Sequence, residues 1–524
     1  MARMATPTTR SQDHIARPDF RMLRCSGGLT LLCVASLGCR SQPGPVASVE
    51  PPRPNIVYIL ADDMGYGDVS ALNAQCAWTT ESIDRLANEG VSFADAHTGS
   101  AVCTPTRYGI LTGRYAWRSR LAKGVLNGQS PPLIDAGRVT VGSWLQGQGY
   151  ETACFGKWHL GWNWSRTDGE IDFDGPVTQG PHASGFDETF CHSGSLDMQP
   201  YVWVQNGAVT APPNRVTENK DYQGFWRKGP TGSDFDHEDV LPELTRRSVA
   251  YIKGRSAAPE PFFLYLPLAA PHTPILPTLE FQGASGTNAY GDFVLQVDDC
   301  VGQVMAALEE AGLSEDTLVI FTCDNGCSPR ARFEELATFG HDPSAGYRGH
   351  KADIFEGGHR VPFIARWPSA IRQGATSNTT ICSTDLFSTC ADILDVPLPD
   401  HAAPDSVSFL DELQGQPATQ LRDAVIHHSI NGSFAVRKGQ WKLIMCPGSG
   451  GWSQPTPKVA READLPSWQL YDLDADPAET VNLAETQPEI CADLALILEG
   501  YIAEGRSTPG PRQSNDREIA LPKR

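Results

Sequence analysis

Residues 55–60, Asn-Ile-Val-Tyr-Ile-Leu, are an apolar run of β-formers that ends on Asp62-Asp63. A run without polar alternation predicts a strand covered on both faces, as in a parallel sheet. The same punctuation recurs three times. Residues 150–155 run into Gly156-Lys157-Trp158-His159-Leu160-Gly161, 261–268 into Ala270-Pro271-His272-Thr273-Pro274, and 317–322 into Asp324-Asn325-Gly326. Between these runs, 80–87, 142–148 and 292–312 carry a helical period, with Val294, Val297, Val301, Val304, Met305 and Leu308 spaced along the last. Strands alternating with helices predict an α/β fold, a large central mostly parallel sheet flanked by helices. Ligands of open sheets lie beyond the carboxyl ends of the strands, so four ends carrying polar residues predict a cleft there.

The texture changes near residue 400. Residues 427–429, 433–436 and 439–444 predict short antiparallel strands, 447–457 a Gly/Ser/Pro-rich loop, and 489–503 an amphipathic helix. The expected organisation is a leader and linker over 1–53, a main domain over 54–400, a smaller C-terminal α+β subdomain on a short antiparallel sheet over 401–510, and a frayed tail over 511–524.

Composition narrows the class only a little. The 524 residues are 20% charged and 40% hydrophobic, as in an ordinary globule. The net charge of −20 argues against a nucleic-acid partner. It leaves an anionic substrate open, because a bound cation with a few Lys and Arg can reverse the local field. Near the N-terminus, Arg21 and Arg24 precede an apolar run over 29–37 that is too short to cross a bilayer, followed by Gly38 and Cys39. This pattern predicts an export signal. Ser36-Leu37-Gly38-Cys39 resembles a bacterial lipobox, which implies a lipid anchor at Cys39 and a periplasmic, membrane-anchored or extracellular protein. Met22 is an alternative start. Ten cysteines outside the leader and outside Cys103 permit disulfides or free thiols. Cys323 and Cys327 have no partner pair at zinc spacing.

Asp62-Asp63 and Asp324-Asn325 offer three carboxylates and an amide at two strand ends. Such hard oxygen donors favour an oxygen-seeking dication, calcium first and magnesium second, over zinc. Taken alone, either pair is more often a turn or a cap. Cys103-Thr104-Pro105-Thr106-Arg107 precedes Leu111-Thr112-Gly113-Arg114. Pro105 suits the first turn of a helix, so Cys103 sits at an N-terminus that favours anions. On these residues alone, a buried or bridged cysteine stands as the alternative to a nucleophile.

The pentapeptide and its Thr-Gly-Arg turn resemble the signature of the type I sulfatases, in the alkaline-phosphatase-like superfamily. The resemblance extends in order from about residue 54 to 483. It takes in 55–68, 103–115, 156–161, 271–274, 324–326, 351–362 and Leu470-Tyr471-Asp472-Leu473-Asp474-Ala475-Asp476-Pro477. It implies that a maturation enzyme oxidises Cys103 to Cα-formylglycine and that Asp62, Asp63, Asp324 and Asn325, with residue 103, hold one divalent cation. The aldehyde hydrate would attack the sulfur of a sulfate monoester, and its second hydroxyl would then expel sulfate from the sulfo-enzyme. The resemblance further implies that Arg107 holds the residue-103 hydroxyls, Lys157 and Lys351 neutralise sulfate oxygens, His159 handles a proton of the diol, and His272 protonates the leaving alcohol.

A sulfated small molecule or glycan is the expected substrate, with Trp162, Trp164, Tyr201, Trp203 and Trp226 as candidates for a sugar subsite or for plain core. His350 departs from the family pattern, and His341, His359, His427 and His428 receive no role. Two rival readings stand beside this one: a phosphate or phosphonate ester hydrolase of the same superfamily, and a catalytically silent exported binding protein with an unmodified thiol. Asn at 325 with the Lys157/His159 pair favours the sulfatase.

Overall fold

The computed structural model describes residues 53–416 and 422–522. The leader and Cys39 lie outside them. The strands and helices that carry the site are β1 (Asn55–Ala61), α1 (Glu81–Asn88), β2 (Val91–Phe93), α2 (Cys103–Thr112), α3 (Val141–Gly147), β3 (Glu151–Lys157), β4 (Glu188–His192), α4 (Val240–Gly254), β5 (Phe262–Pro267), α5 (Ala289–Glu310), β6 (Thr317–Cys323) and β7 (Phe363–Arg366). The strands among them belong to one ten-stranded sheet whose central order is β2-β7-β6-β1-β5-β3-β4. The run from β6 to β4 is parallel, whereas β7 pairs antiparallel with both β6 and β2. The fold is thus the α/β architecture that the apolar runs predict.

Those runs are apolar because both faces of the sheet are covered. Val57, Ile59 and Ala61 of β1 pack with residues of α1, α4 and α5 into one core, while Ile56, Tyr58 and Leu60 pack with residues of α2 and α3 into the other. Every residue of β1, β5 and β6 is buried. At roughly 1.5–3 kcal/mol for each fully buried large apolar side chain, these two cores hold the sheet rigid beneath the loops at its carboxyl edge.

The C-terminal residues form the small antiparallel sheet β8 (Val425–His428), β9 (Phe434–Lys438), β10 (Trp441–Ile444) and β11 (Gln469–Asp472), covered by α6 (Pro488–Glu504). The other face of this sheet packs Ala435, Ile444 and Tyr471 on Ile354 and Phe355. From residue 53 onward the described chain is a single compact unit.

The described part of the tail, 511–522, is tied down rather than frayed. Asp516 accepts from Arg114 Nη1 and Nη2 at 3.1 and 3.0 Å, and its N–H donates to Arg118 O at 2.8 Å. Arg114 and Arg118 are buried guanidiniums that need acceptors, and the tail supplies them. Cys76, Cys103, Cys154, Cys191, Cys300, Cys323, Cys327, Cys382, Cys390 and Cys446 are free thiols. Among the described residues, no helix is long and apolar enough to cross a membrane.

Candidate active site

Four neighbouring strands, β6, β1, β5 and β3, deliver the site. Asp324-Asn325 follow β6, Asp62-Asp63 follow β1, His272 follows β5, and Lys157 ends β3 with His159 just beyond. Parallel pairing of Ala61 with Cys323 puts the two acidic pairs side by side. Helix α2 then brings its first residue, Cys103, to the same place, where the sulfur and carboxylate atoms of Asp62, Cys103 and Asp324 lie within 4.8 Å of one another. The helix stops at Gly113, in the left-handed region with φ 58°, where a side chain would run into Ala403. Asp63 and His159 also hold positive φ, 65° and 52°, conformations that side chains of this kind adopt only where the surroundings impose them.

Three acids and three bases are buried together. Arg107 gives Asp324 Oδ2 two bonds, from Nε at 2.9 Å and Nη2 at 2.7 Å, and a third to the Lys157 carbonyl at 2.9 Å. Lys157 Nζ pairs with Asp62 Oδ2, and Lys351 Nζ with Asp63 at 2.7 Å. Arg107 therefore contacts the acid set, where the resemblance implied residue 103.

Burial would raise the Asp62 carboxyl, but Lys157, His272 and Arg107 outweigh it and hold the group well below the usual range. For Asp324, burial and the Asp62 charge outweigh Arg107 and push it up to about 7. Carboxylates crowded in this way favour a cation. Asp62 Oδ1 and Asn325 Oδ1 are buried without a hydrogen-bond partner. Asn325 Nδ2 is spent on Asp63 Oδ1 at 2.7 Å and Gly326 O at 3.0 Å, which aims its oxygen away from them. Two orphaned hard oxygens beside two further carboxylates fit a divalent cation. Burial also pushes the Cys103 thiol up, despite Lys157 and Lys351, so the unmodified sulfur is a poor nucleophile near neutrality.

The histidines are wired into the site. His159 Nε2 donates to Leu126 O at 2.7 Å, leaving Nδ1 buried without a partner. Burial and Lys157 keep this ring neutral, well below its ordinary value. His272 lies between two cis prolines, 3.6 Å from Asp63 Oδ2, and burial with Lys351 lowers it as well. Ser195, which the sequence reading missed, bridges Lys157 Nζ at 3.0 Å and His272 Nε2 at 3.1 Å. Its signal was present: β4 ends on Ser193-Gly194-Ser195, the same strand-end punctuation as the other four.

The remaining candidates divide. His341 donates to Asp68 at 2.8 Å, and Tyr290 OH reaches both Asp68 and the Asp63 carbonyl, so this group holds the Asp62-Asp63 turn. His350 turns its Nδ1 onto the Lys351 carbonyl at 2.9 Å. His359 and His427 stack at 3.7 Å inside a buried ionic network in which Lys442 pairs with Glu356 and Glu479 at 3.0 and 2.8 Å. This network ties the small sheet to the segment after Lys351. Trp162, Trp164, Tyr201 and Trp203 are core, and half-buried Trp226 stacks on His237 at 4.1 Å.

The sulfatase family pattern matches residues 54–396, most of the described chain. The chain belongs to the sulfatase family. Its chemistry is the hydrolysis of sulfuric esters, in keeping with the residues gathered here. A second pattern, the N-sulphoglucosamine sulphohydrolase C-terminal region, matches residues 350–499. An N-acetylgalactosamine-6-O-sulfatase from Bacteroides thetaiotaomicron is 34% identical over 91% of this chain and 98% of that protein. Human arylsulfatase A is 32% identical over 85% of this chain and 87% of its own length. A solved structure, from work on the metabolism of multiple glycosaminoglycans by Bacteroides thetaiotaomicron, superimposes with a TM-score of 0.77 at 34% identity, covering 86% of this chain and 99% of that one.

Proposed function

We propose that this sulfatase removes sulfate from carbohydrates, with 6-O-sulfated N-acetylgalactosamine as the leading substrate, after a maturation enzyme has converted Cys103 to formylglycine. The observation that carries this reading is the meeting of Cys103, at the start of α2, with Asp62 and Asp324 and with the unpartnered oxygens of Asp62 and Asn325. The likeness to the N-acetylgalactosamine-6-O-sulfatase supports the choice of sugar.

Asp62, Asp63, Asp324 and Asn325 hold the divalent cation, calcium before magnesium. The cation supplies Lewis-acid polarisation, and the aldehyde hydrate at 103 supplies the nucleophilic hydroxyl. Lys157 and Lys351 carry the positive charge that offsets the sulfate oxygens as charge builds on the leaving side. His159, fixed as the tautomer with hydrogen on Nε2 by the Leu126 carbonyl, presents Nδ1 as a base. His272 protonates the departing alkoxide, and Ser195 links it to Lys157 as a route for that proton. Arg107 holds Asp324 Oδ2 through two bonds, and a bound cation would supply the further positive charge that ionises this carboxyl. Export through the leader, with a lipid anchor at Cys39, belongs to the same reading.

Mass spectrometry of the peptide around residue 103, from chain co-expressed with a formylglycine-generating enzyme, tests the modification. Turnover of p-nitrophenyl sulfate, p-nitrophenyl phosphate and N-acetylgalactosamine 6-sulfate tests the chemistry. Aldehyde at 103 and preference for the sulfate esters are expected. An active preparation with an intact thiol, or one that prefers the phosphate, overturns the proposal.

A further inference from the structure

A cavity of about 510 Å³ opens beside the site, lined by Asn127, Gln129, Met198, Gln199 and Arg227. Its size falls within the roughly 300–1,000 Å³ of small-molecule sites. Two of the three segments that form it also touch the histidines. Leu126, next to Asn127, accepts from His159 Nε2 at 2.7 Å. Ser195, bonded to both Lys157 and His272, accepts at its carbonyl from the Met198 N–H at 2.9 Å. Gly128 closes the loops on each other, since a Cβ there would lie 2.4 Å from the Gln199 carbonyl.

The cavity therefore adjoins the loops that contact His159 and, through Ser195, His272. None of the cation-binding or lysine residues lines it, so it is separate from the cluster of acids and bases. Three of its five side chains are carboxamides, each offering a donor and an acceptor in a fixed plane, and Met198 adds an apolar surface. Arg227 is paired with Asp197 by a side-chain ion pair and donates to its carbonyl at 2.9 Å. That guanidinium is already neutralised, which suits hydroxyl and acylamino groups better than a second sulfate.

We propose that this cavity is the subsite for the sugar unit joined to the sulfated one, and that Gln129, Gln199 and Arg227 read its hydroxyl and acylamino groups. The sulfatase is then built for sulfated oligosaccharides rather than for lone sulfated monosaccharides. This rests on the carbohydrate reading above and goes beyond it in naming a second unit and the residues that recognise it.

Two measurements test it, both on the matured full chain. The first needs no substitution: kcat/KM for a 6-sulfated disaccharide is compared with that for the corresponding monosaccharide, and the disaccharide is expected to be favoured roughly tenfold, the worth of one or two well-placed hydrogen bonds. The second follows Gln129→Ala/Gln199→Ala and Arg227→Ala by the ratio of disaccharide to p-nitrophenyl sulfate kcat/KM, which is expected to drop about tenfold, mainly through KM. Affinity of Cys103→Ala chain for the disaccharide, by calorimetry, is expected to fall by the same factor on adding these changes. Equal use of mono- and disaccharide by the wild type, or an unchanged ratio in soluble variants, overturns the subsite. Failure of the parent reading is distinct, since it shows as no sulfate released from any carbohydrate while p-nitrophenyl sulfate or phosphate is cleaved.

Discussion

Asp324→Asn separates a cation ligand from a merely structural partner of Arg107. Well above pH 7, near which burial and Asp62 place the Asp324 carboxyl, the substitution keeps the shape and one acceptor oxygen but removes a unit charge from a buried set of three acids and three bases. In the cation-free protein two effects oppose. Arg107 loses the charge assistance of its two bonds, at 2.9 and 2.7 Å, while Asp62 loses a repelling neighbour. A hydrogen bond to a charged group is worth about 1.5–3 kcal/mol, of which the amide retains a part, so the net change is expected to stay within about 2 kcal/mol.

Cation binding has no such compensation. Unit charges about 4 Å apart at an effective dielectric of ~20 interact by roughly 4 kcal/mol, more for a dication, and desolvation returns part of it. The expected loss is at least about 3 kcal/mol, or a hundredfold in affinity. Urea unfolding with and without calcium reads both quantities. At a hundred times its Kd, calcium stabilises the wild type by about 2.7 kcal/mol, and the variant is expected to lose nearly all of that shift. A variant destabilised by more than about 4 kcal/mol that keeps the full calcium shift would refute the reasoning, because Asp324 would then serve Arg107 alone.

Asp405 is fully buried and takes Arg118 through Nε and Nη2, both at 2.8 Å, with the Tyr115 N–H at 2.8 Å. Asp405→Ala strands that guanidinium and is expected to cost about 3–5 kcal/mol in chemical denaturation, whereas a loss under 1 kcal/mol would mean that solvent reaches Arg118. Gly156 has φ 139°, and a Cβ there would sit 1.9 Å from the Pro267 carbonyl, so Gly156→Ala is expected to force β3 from β5, lower Tm and displace Lys157; an unchanged Tm with full activity contradicts this. Burial lowers His192 to about 3 and His237 and His428 to about 4. Each must gain a proton on unfolding below its ordinary 6.5, so their stabilisation is complete above that pH and drains away as pH falls towards 4. Stability at pH 5 is expected to lie roughly 5 kcal/mol under that at pH 7, and a flat profile would show those rings to be solvated. Cys103→Ala is expected to retain the wild-type fold by circular dichroism and to release no sulfate; normal turnover would remove the nucleophile assigned here.

Much of the site was legible because its residues sit where strands stop. A both-faces-buried strand must be apolar, so the first polar residue after it marks the carboxyl edge of the sheet, and Asp62, Asp324, Lys157 and His272 announce themselves in that way. Ser195 escaped because β4, near the sheet's edge, reads Glu-Thr-Phe-Cys-His and lacks the apolar run that draws attention to its end. The anchoring of the tail over 511–522 was not legible for a related reason. Its composition is polar, and nothing local records that Arg114 and Arg118, some 400 positions away in sequence, need its carbonyls and carboxylates.

The sequence by itself determined the class of fold, the order of the strands along the chain and the kinds of chemistry at their ends, since these follow from local apolar period and from residue type. Tertiary packing alone sets which acid each base holds, that Lys442 and Glu356 lock the small sheet against the Lys351 segment, and that Asn127, Gln129, Met198, Gln199 and Arg227 line one cavity. Those outcomes depend on side chains far apart in sequence competing for the same buried partners, and the energy of a buried charge or cavity is set by everything that surrounds it rather than by its neighbours along the chain.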